Sequence, residues 1–158
     1  MIIFSYHTDG KKVNSLSNKN QKTEEIKLKI FKAGSRPQKK APSDWFHGNV
    51  MQDPIIEAED PARVRSIKVS FEPKARTAWH THPLGQTLFV LSGVGLIGLR
   101  HEAPKIIKVG DSVWIPPEEE HWHGATQDSS MQHVAIHEAL NGKVADWLEQ
   151  VLDEDYYL

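Results

Sequence analysis

The chain has 158 residues, 39% of them hydrophobic and 25% charged, with a net charge of −2 and no cysteine. That length favours one domain with a core of its own, and the missing cysteines exclude disulfide scaffolds, thiolate metal sites and thiol nucleophiles. No run approaches the roughly 20 apolar residues of a membrane span, and Met1–Tyr6 is too short for a signal peptide's apolar region, so a cytoplasmic protein without a membrane partner is the default expectation.

Charge is unevenly spread. Residues 1–40 carry 10 Lys/Arg against 3 Asp/Glu, whereas residues 41–158 carry 9 against 18. The acidic body argues against nucleic acid as a partner. The stretch Gly10–Thr23 is dominated by Lys, Asn, Ser and Gln, so residues 1–25 are expected to form a flexible basic leader. Residues 26–158 are expected to form a single domain.

In chain order, Ile26–Phe31 alternates apolar and basic residues, as a half-buried or edge strand does. A loop rich in Pro, Lys and Gly runs to about Gly48. Strands are expected at Val64–Phe71, Gln86–Leu91, Val94–Arg100, Lys105–Val109, Ser112–Ile115 and Ser130–Glu138, with hairpin turns at Ser92-Gly93 and His101–Pro104. Short strands at this spacing predict an antiparallel sandwich or barrel. Val144, Trp147, Leu148, Val151 and Leu152 fall at helical spacing and predict a closing amphipathic helix.

Histidine placement carries the functional information. His80 and His82 flank Thr81, His121 and His123 flank Trp122, and His133 and His137 stand four apart. Residues two or four apart on a strand share a face. Each pair can therefore point one way, and three such strands would line one cavity with six imidazoles. Neutral imidazole is the commonest ligand of first-row divalent ions, and Gln86 can add an amide oxygen.

His80-Thr81-His82, then Gln86, then Gly93 resembles the first cupin motif, HxH followed by Glu and Gly. Gly110-Asp111, Pro116 and His121 resemble the second. The resemblance implies an all-β cupin barrel (a jelly roll, or double-stranded β-helix), here with a short C-terminal amphipathic helix. It implies one divalent metal on His80, His82, Gln86 and His121. Three motif positions depart: Lys74 and Glu118 stand where glycine is usual, and Ala125 where asparagine is. Asp44-Trp45-Phe46, Arg76–Leu88, His121–Ala125 and Asp146-Trp147 are similar to small bacterial manganese cupins, a group that includes (R)-selective hydroxynitrile lyases. In that group Gln is the usual fourth ligand.

The resemblance implies manganese, with iron, zinc or nickel as alternatives. It also implies a small-molecule substrate and a homodimer or homotetramer. Four neutral ligands leave the metal nearly its full charge, which suits a strong Lewis acid. The base for proton transfer is expected at His133, then His123 or His137, and Trp79, Trp114 and Trp122 border the motifs as candidate aromatic walls. The expected activity is hydroxynitrile-lyase-like cleavage and formation of cyanohydrins. The alternatives are a quercetinase-like dioxygenase and a non-catalytic cupin that binds a metal or small molecule.

Overall fold

The computed structural model describes residues 28–157. Every strand among the described residues lies in the unit Phe31–Leu158. The expected leader lies outside the described residues, as do Ile26 and Lys27 of the first expected strand. Leu28–Phe31 form no strand, and Leu28 and Ile30 are exposed. The sheet edge expected for that segment is taken instead by Lys39 and Lys40.

That unit runs β1 (Lys39–Lys40), β2 (Phe46–His47), β3 (Val50–Glu57), β4 (Val64–Phe71), β5 (Arg76–Thr77), β6 (His80–Thr81) and β7 (Gln86–Leu99). It continues through β8 (Lys105–Lys108), β9 (Ser112–Ile115), β10 (His121–Ala125), β11 (Met131–Glu138) and β12 (Asp146–Trp147), and closes on α1 (Asp153–Tyr156). One sheet orders β1-β3-β4-β11-β7, with β9 on the far side of β7. The other orders β2-β5-β10-β7, with β8 beside β7 and the short pair β6-β12 beside β10. All pairings are antiparallel, and together they form the expected all-β jelly-roll barrel.

The two sheets share β7. Gln86–Phe89 pairs with β9, and Val94–Ile97 pairs with β8. The expected hairpin at Ser92-Gly93 is therefore not a chain reversal. A register shift opposite Gln132 and His133, with Gly93 at φ 75°, turns one continuous strand from sheet to sheet. A bulge corner and a turn both draw on the positive φ that glycine adopts freely, so the local signal was the same. The long strand β3 was missed because Pro54 interrupts its pattern; there the register slips by one residue on the sheet's outer strand pair.

Val144–Leu152 is not helical, and the helix α1 begins only at Asp153. β6 needs a partner, and this stretch supplies one. Asp146 and Trp147 pair with Thr81 and His80, Leu148 N–H donates to the Trp79 carbonyl at 2.8 Å, and Trp79 N–H donates to the Glu149 carbonyl at 3.0 Å. A sheet edge close at hand outweighs helical periodicity over so few residues.

Inside the barrel, Val69, Phe71, Leu88, Val90, Ile97, Ala125, Met131 and Ala135 form the main core. A second cluster lies on the opposite face of β10, where Trp122 packs with Trp79, Leu96, Val151 and Tyr156. Strand alternation explains the division: Trp122 points out where His121 and His123 point in. Arg76 is buried there too, held by the Val151 carbonyl at 2.9 Å and by Asp153 at 2.8 Å, so it braces the C-terminal segment and does not reach the barrel interior. Lys74 (φ 70°) and Glu118 (φ 62°) keep the left-handed backbone that the family's glycines would take. The backbone path therefore survives the two departures. The Glu118 N–H donates to the His82 carbonyl at 2.9 Å, tying that turn to the histidine motif.

Candidate metal centre and cavity

His80 lies on β6, His82 just beyond it, Gln86 at the start of β7 and His121 at the start of β10. Cross-strand pairing sets His121 opposite His80. The ligand atoms of His80, His82 and His121 fall within 4.8 Å of one another, and all three residues are buried. Gln86 Oε1 lies 3.4 Å from His121 Nε2, so the fourth expected ligand joins the group.

The backbone sets the tautomers. Nδ1 of His80 lies 3.0 Å from the Ala78 carbonyl, Nδ1 of His82 2.6 Å from that of Val144, and Nδ1 of His121 2.8 Å from that of Glu119. A carbonyl only accepts, so each Nδ1 carries the hydrogen and each Nε2 presents a lone pair inward. Among the described residues, His82 Nε2 is buried with no hydrogen-bond partner. Inward-facing lone pairs with nothing to bond are what a cation relieves. The residues therefore fit a divalent ion, held by three imidazoles and an amide oxygen with no carboxylate among them.

Burial dominates the titration of these rings. It holds His80 well below the ordinary imidazole value, with neighbouring His121 and His82 adding to the effect, and it also lowers His82. It brings His121 to about 4, against a pull upward from the Glu119 carbonyl. Burial brings His133 to about 4, against an upward pull from the Val134 backbone. His137 also falls to about 4, by burial and then by the nearby His82 and Arg65. The stability consequence has a definite sign. Above pH ~6.5 both folded and unfolded chains hold these rings neutral. As pH falls toward 4 the unfolded chain binds protons that the folded chain refuses, so stability is lost across that window. The metal-free protein should show a flat melting temperature from pH 8 to 7 and a progressive fall from pH 6.5 to 4.5. A melting temperature that rose across that window would contradict the burial.

His80, His82, His123 and His137 line a cavity of about 420 Å³ with Gln86, so four of the six expected imidazoles face it and His121 and His133 do not. Its walls include Trp45, Phe46 and Trp147 on one side and Ile67, Val69 and Ala135 on another. Trp45 and Trp147 stack with centroids 5.2 Å apart, and Trp147 in turn stacks on the His80 ring at 4.6 Å. This corrects the expected aromatic wall. Trp79 and Trp122 lie in the second cluster, and Trp114 is 62% exposed on the outside of the barrel. Trp45 and Trp147 stand out in the sequence only as parts of the matched segments, because Trp147 reaches the site through a strand pairing more than 60 residues apart and Trp45 by stacking on it.

The three candidate bases occupy different places. His123 and His137 line the cavity, the latter stacked on His82 at 5.0 Å. His133 lies behind the wall, fully buried, with its Nε2 3.2 Å from His123 Nδ1. Glu118–Glu120 forms the turn before His121, and Glu120 is held by Arg100 at 2.7 Å.

Comparison with known proteins matches this arrangement. The cupin domain model covers residues 67–137. A cupin-like protein of Thermotoga maritima is 39% identical, with a TM-score of 0.71 over 82% of this chain and 95% of its own. The chain belongs to the cupin family. This cupin is also 51% identical, over 82% of its length and 98% of the relative's, to an (R)-mandelonitrile lyase of Granulicella tundricola. The polyketide cyclase RemF of Streptomyces resistomycificus shares the fold at 12% identity, with a TM-score of 0.62 over 83% of this chain and 91% of its own. In this cupin the three-histidine group at the motif positions is able to hold a metal ion. Among the described residues, no helix is long and apolar enough to cross a membrane.

Proposed function

We propose that this cupin is a metal-dependent lyase that cleaves and forms small cyanohydrins. The observation that carries the reading is the donor set: three imidazoles with inward Nε2 atoms and a glutamine oxygen, opening onto a cavity that also holds non-ligand imidazoles. A relative named (R)-mandelonitrile lyase, at 51% identity, supports it.

His80, His82, Gln86 and His121 would hold the ion, manganese by this reading. When bound it supplies Lewis acidity, uncancelled by any carboxylate ligand, to a substrate oxygen or nitrile. The chain's own residues do the rest. The cavity imidazoles, kept neutral by burial, take the hydroxyl proton. The bond between the carbinol carbon and the nitrile carbon breaks and leaves an aldehyde. Cyanide departs with the same proton as HCN, and the imidazole returns to its neutral form. Trp147 and Trp45 offer a flat wall for an aryl group, and the apolar side chains opposite exclude water. The exposed apolar side chains Phe89, Trp114 and Ile136 on the outer sheet support a homodimer or homotetramer.

The test is cleavage of racemic mandelonitrile by manganese-loaded protein against a metal-stripped control, with the chirality of the remaining substrate followed. Enantioselective, metal-dependent release of benzaldehyde is expected. A fully loaded site with no cleavage would overturn the lyase reading, and oxygen uptake on adding a β-diketone would replace it with dioxygenase chemistry.

A further inference from the structure

Among the described residues, one side chain lies within hydrogen-bond distance of the His133 ring. Its ring is completely enclosed, it packs against Phe71 at 5.5 Å, and its Nδ1 makes no hydrogen bond. Only its Nε2 is engaged, 3.2 Å from Nδ1 of His123. An imidazole half-satisfied in an apolar setting gives a core less than a phenyl ring of similar size would. What His133 does is therefore to be sought in His123, the side chain its Nε2 bonds.

His123 stands between it and the cavity. Its Nδ1 is taken up by His133, which leaves Nε2 for the cavity that its ring lines. A hydrogen bond between two neutral imidazoles holds one proton, so it ties the far nitrogen of His123 to the tautomer of His133. If Nδ1 accepts, Nε2 carries the hydrogen; if Nδ1 donates, Nε2 is bare. Without the bond, both forms would coexist. Ring orientation is fixed as well: Phe71 meets His123 edge-on at 5.8 Å and 85°, and His133 crosses it at 81°. The backbone N–H of His123 is anchored to Thr77 Oγ1 at 3.1 Å.

We propose that His133 is a positioning residue: it holds His123 in one tautomer and one plane, and of the two only His123 meets the ligand in the cavity. The assignment rests on the lyase reading only where activity is the readout. It reverses the order of roles expected from sequence position, in which His133 comes first.

The decisive measurement is the ¹⁵N imidazole spectrum of the zinc-loaded, diamagnetic protein. His123 should show a single neutral tautomer in the parent chain. His133→Phe keeps the ring volume but removes the partner, and the His123 nitrogens should then move to the averaged values of mixed tautomers. His133→Gln, which offers an amide near the former Nε2, should restore most of the parent signal. On cyanohydrin, His133→Phe should lower kcat about 10–100-fold, the range for losing an outer partner, with KM and zinc content little changed. His123→Phe should lose at least as much. Unchanged His123 nitrogens in His133→Phe would overturn the proposal. So would a His123→Phe variant as active as the parent beside an inactive His133→Phe, since His133 would then meet the substrate itself. If the parent protein proves not to cleave cyanohydrins, the lyase reading fails and the tautomer measurement still decides this one.

Discussion

His121→Ala should release the metal and reduce cyanohydrin cleavage to the level of the metal-stripped protein. His121 gives one of three imidazole nitrogens within 4.8 Å, and its Nε2 lies beside the Gln86 oxygen, so its loss disturbs two of the four ligands. Changing a partner that merely supports a ligand costs about 10–100-fold in affinity, and losing a ligand should exceed about 100-fold. The fold should survive. The Glu119 carbonyl bonded by His121 Nδ1 lies in an exposed turn where water can replace the ring. Metal titration followed by elemental analysis, with circular dichroism as the control, checks this. One equivalent of tightly held metal in the variant would sink the assignment of this group as the metal centre.

Gly93→Ala should destabilise the barrel by more than about 3 kcal/mol. A left-handed backbone at an alanine costs roughly 1–2 kcal/mol. The added methyl would also meet the Ser130 carbonyl, and that carbonyl accepts the Val94 N–H at 3.2 Å, so it is not free to withdraw. At this point β7 leaves one sheet for the other, and a displaced Ser130 would drag β11 with it. Gly110 is the control. Its φ of 89° is equally left-handed, but nothing lies within 4 Å of the added carbon. Gly110→Ala should cost only the backbone term. Urea denaturation of both variants separates the two contributions. Equal losses would show that contact with Ser130 contributes nothing.

Much of the metal group could be read without coordinates. Strand periodicity lets the HxH pair share a face, and the resemblance to the cupin motifs implies Gln86 and His121 beside it. The neutral character of the donor set follows from the residues that stand at those motif positions. Strand positions were equally legible wherever alternation was unbroken: Val64–Phe71 and Ser112–Ile115 fall where the pattern puts them. Pattern reading failed where one local signal serves two geometries. Ser92-Gly93 allows a turn or a bulge, and only pairing with β8, β9, β10 and β11 selects the bulge. Val144–Leu152 allows a helix, until the open edge of β6 offers backbone partners.

The sequence by itself determined the all-β class, the cupin motifs and the imidazoles that can share a face, because these depend on residues a few positions apart. Tertiary structure decided which tryptophans face the cavity and which carbonyls orient the ligating rings. It also decided that His133 reaches the cavity only through His123. The contacts from Trp147 to His80 and from Val144 to His82 cross a wide gap in the chain, and His133 meets His123 from a different strand. The energy of such a contact belongs to the pairing of strands, and periodicity along one strand carries no information about which strand lies opposite.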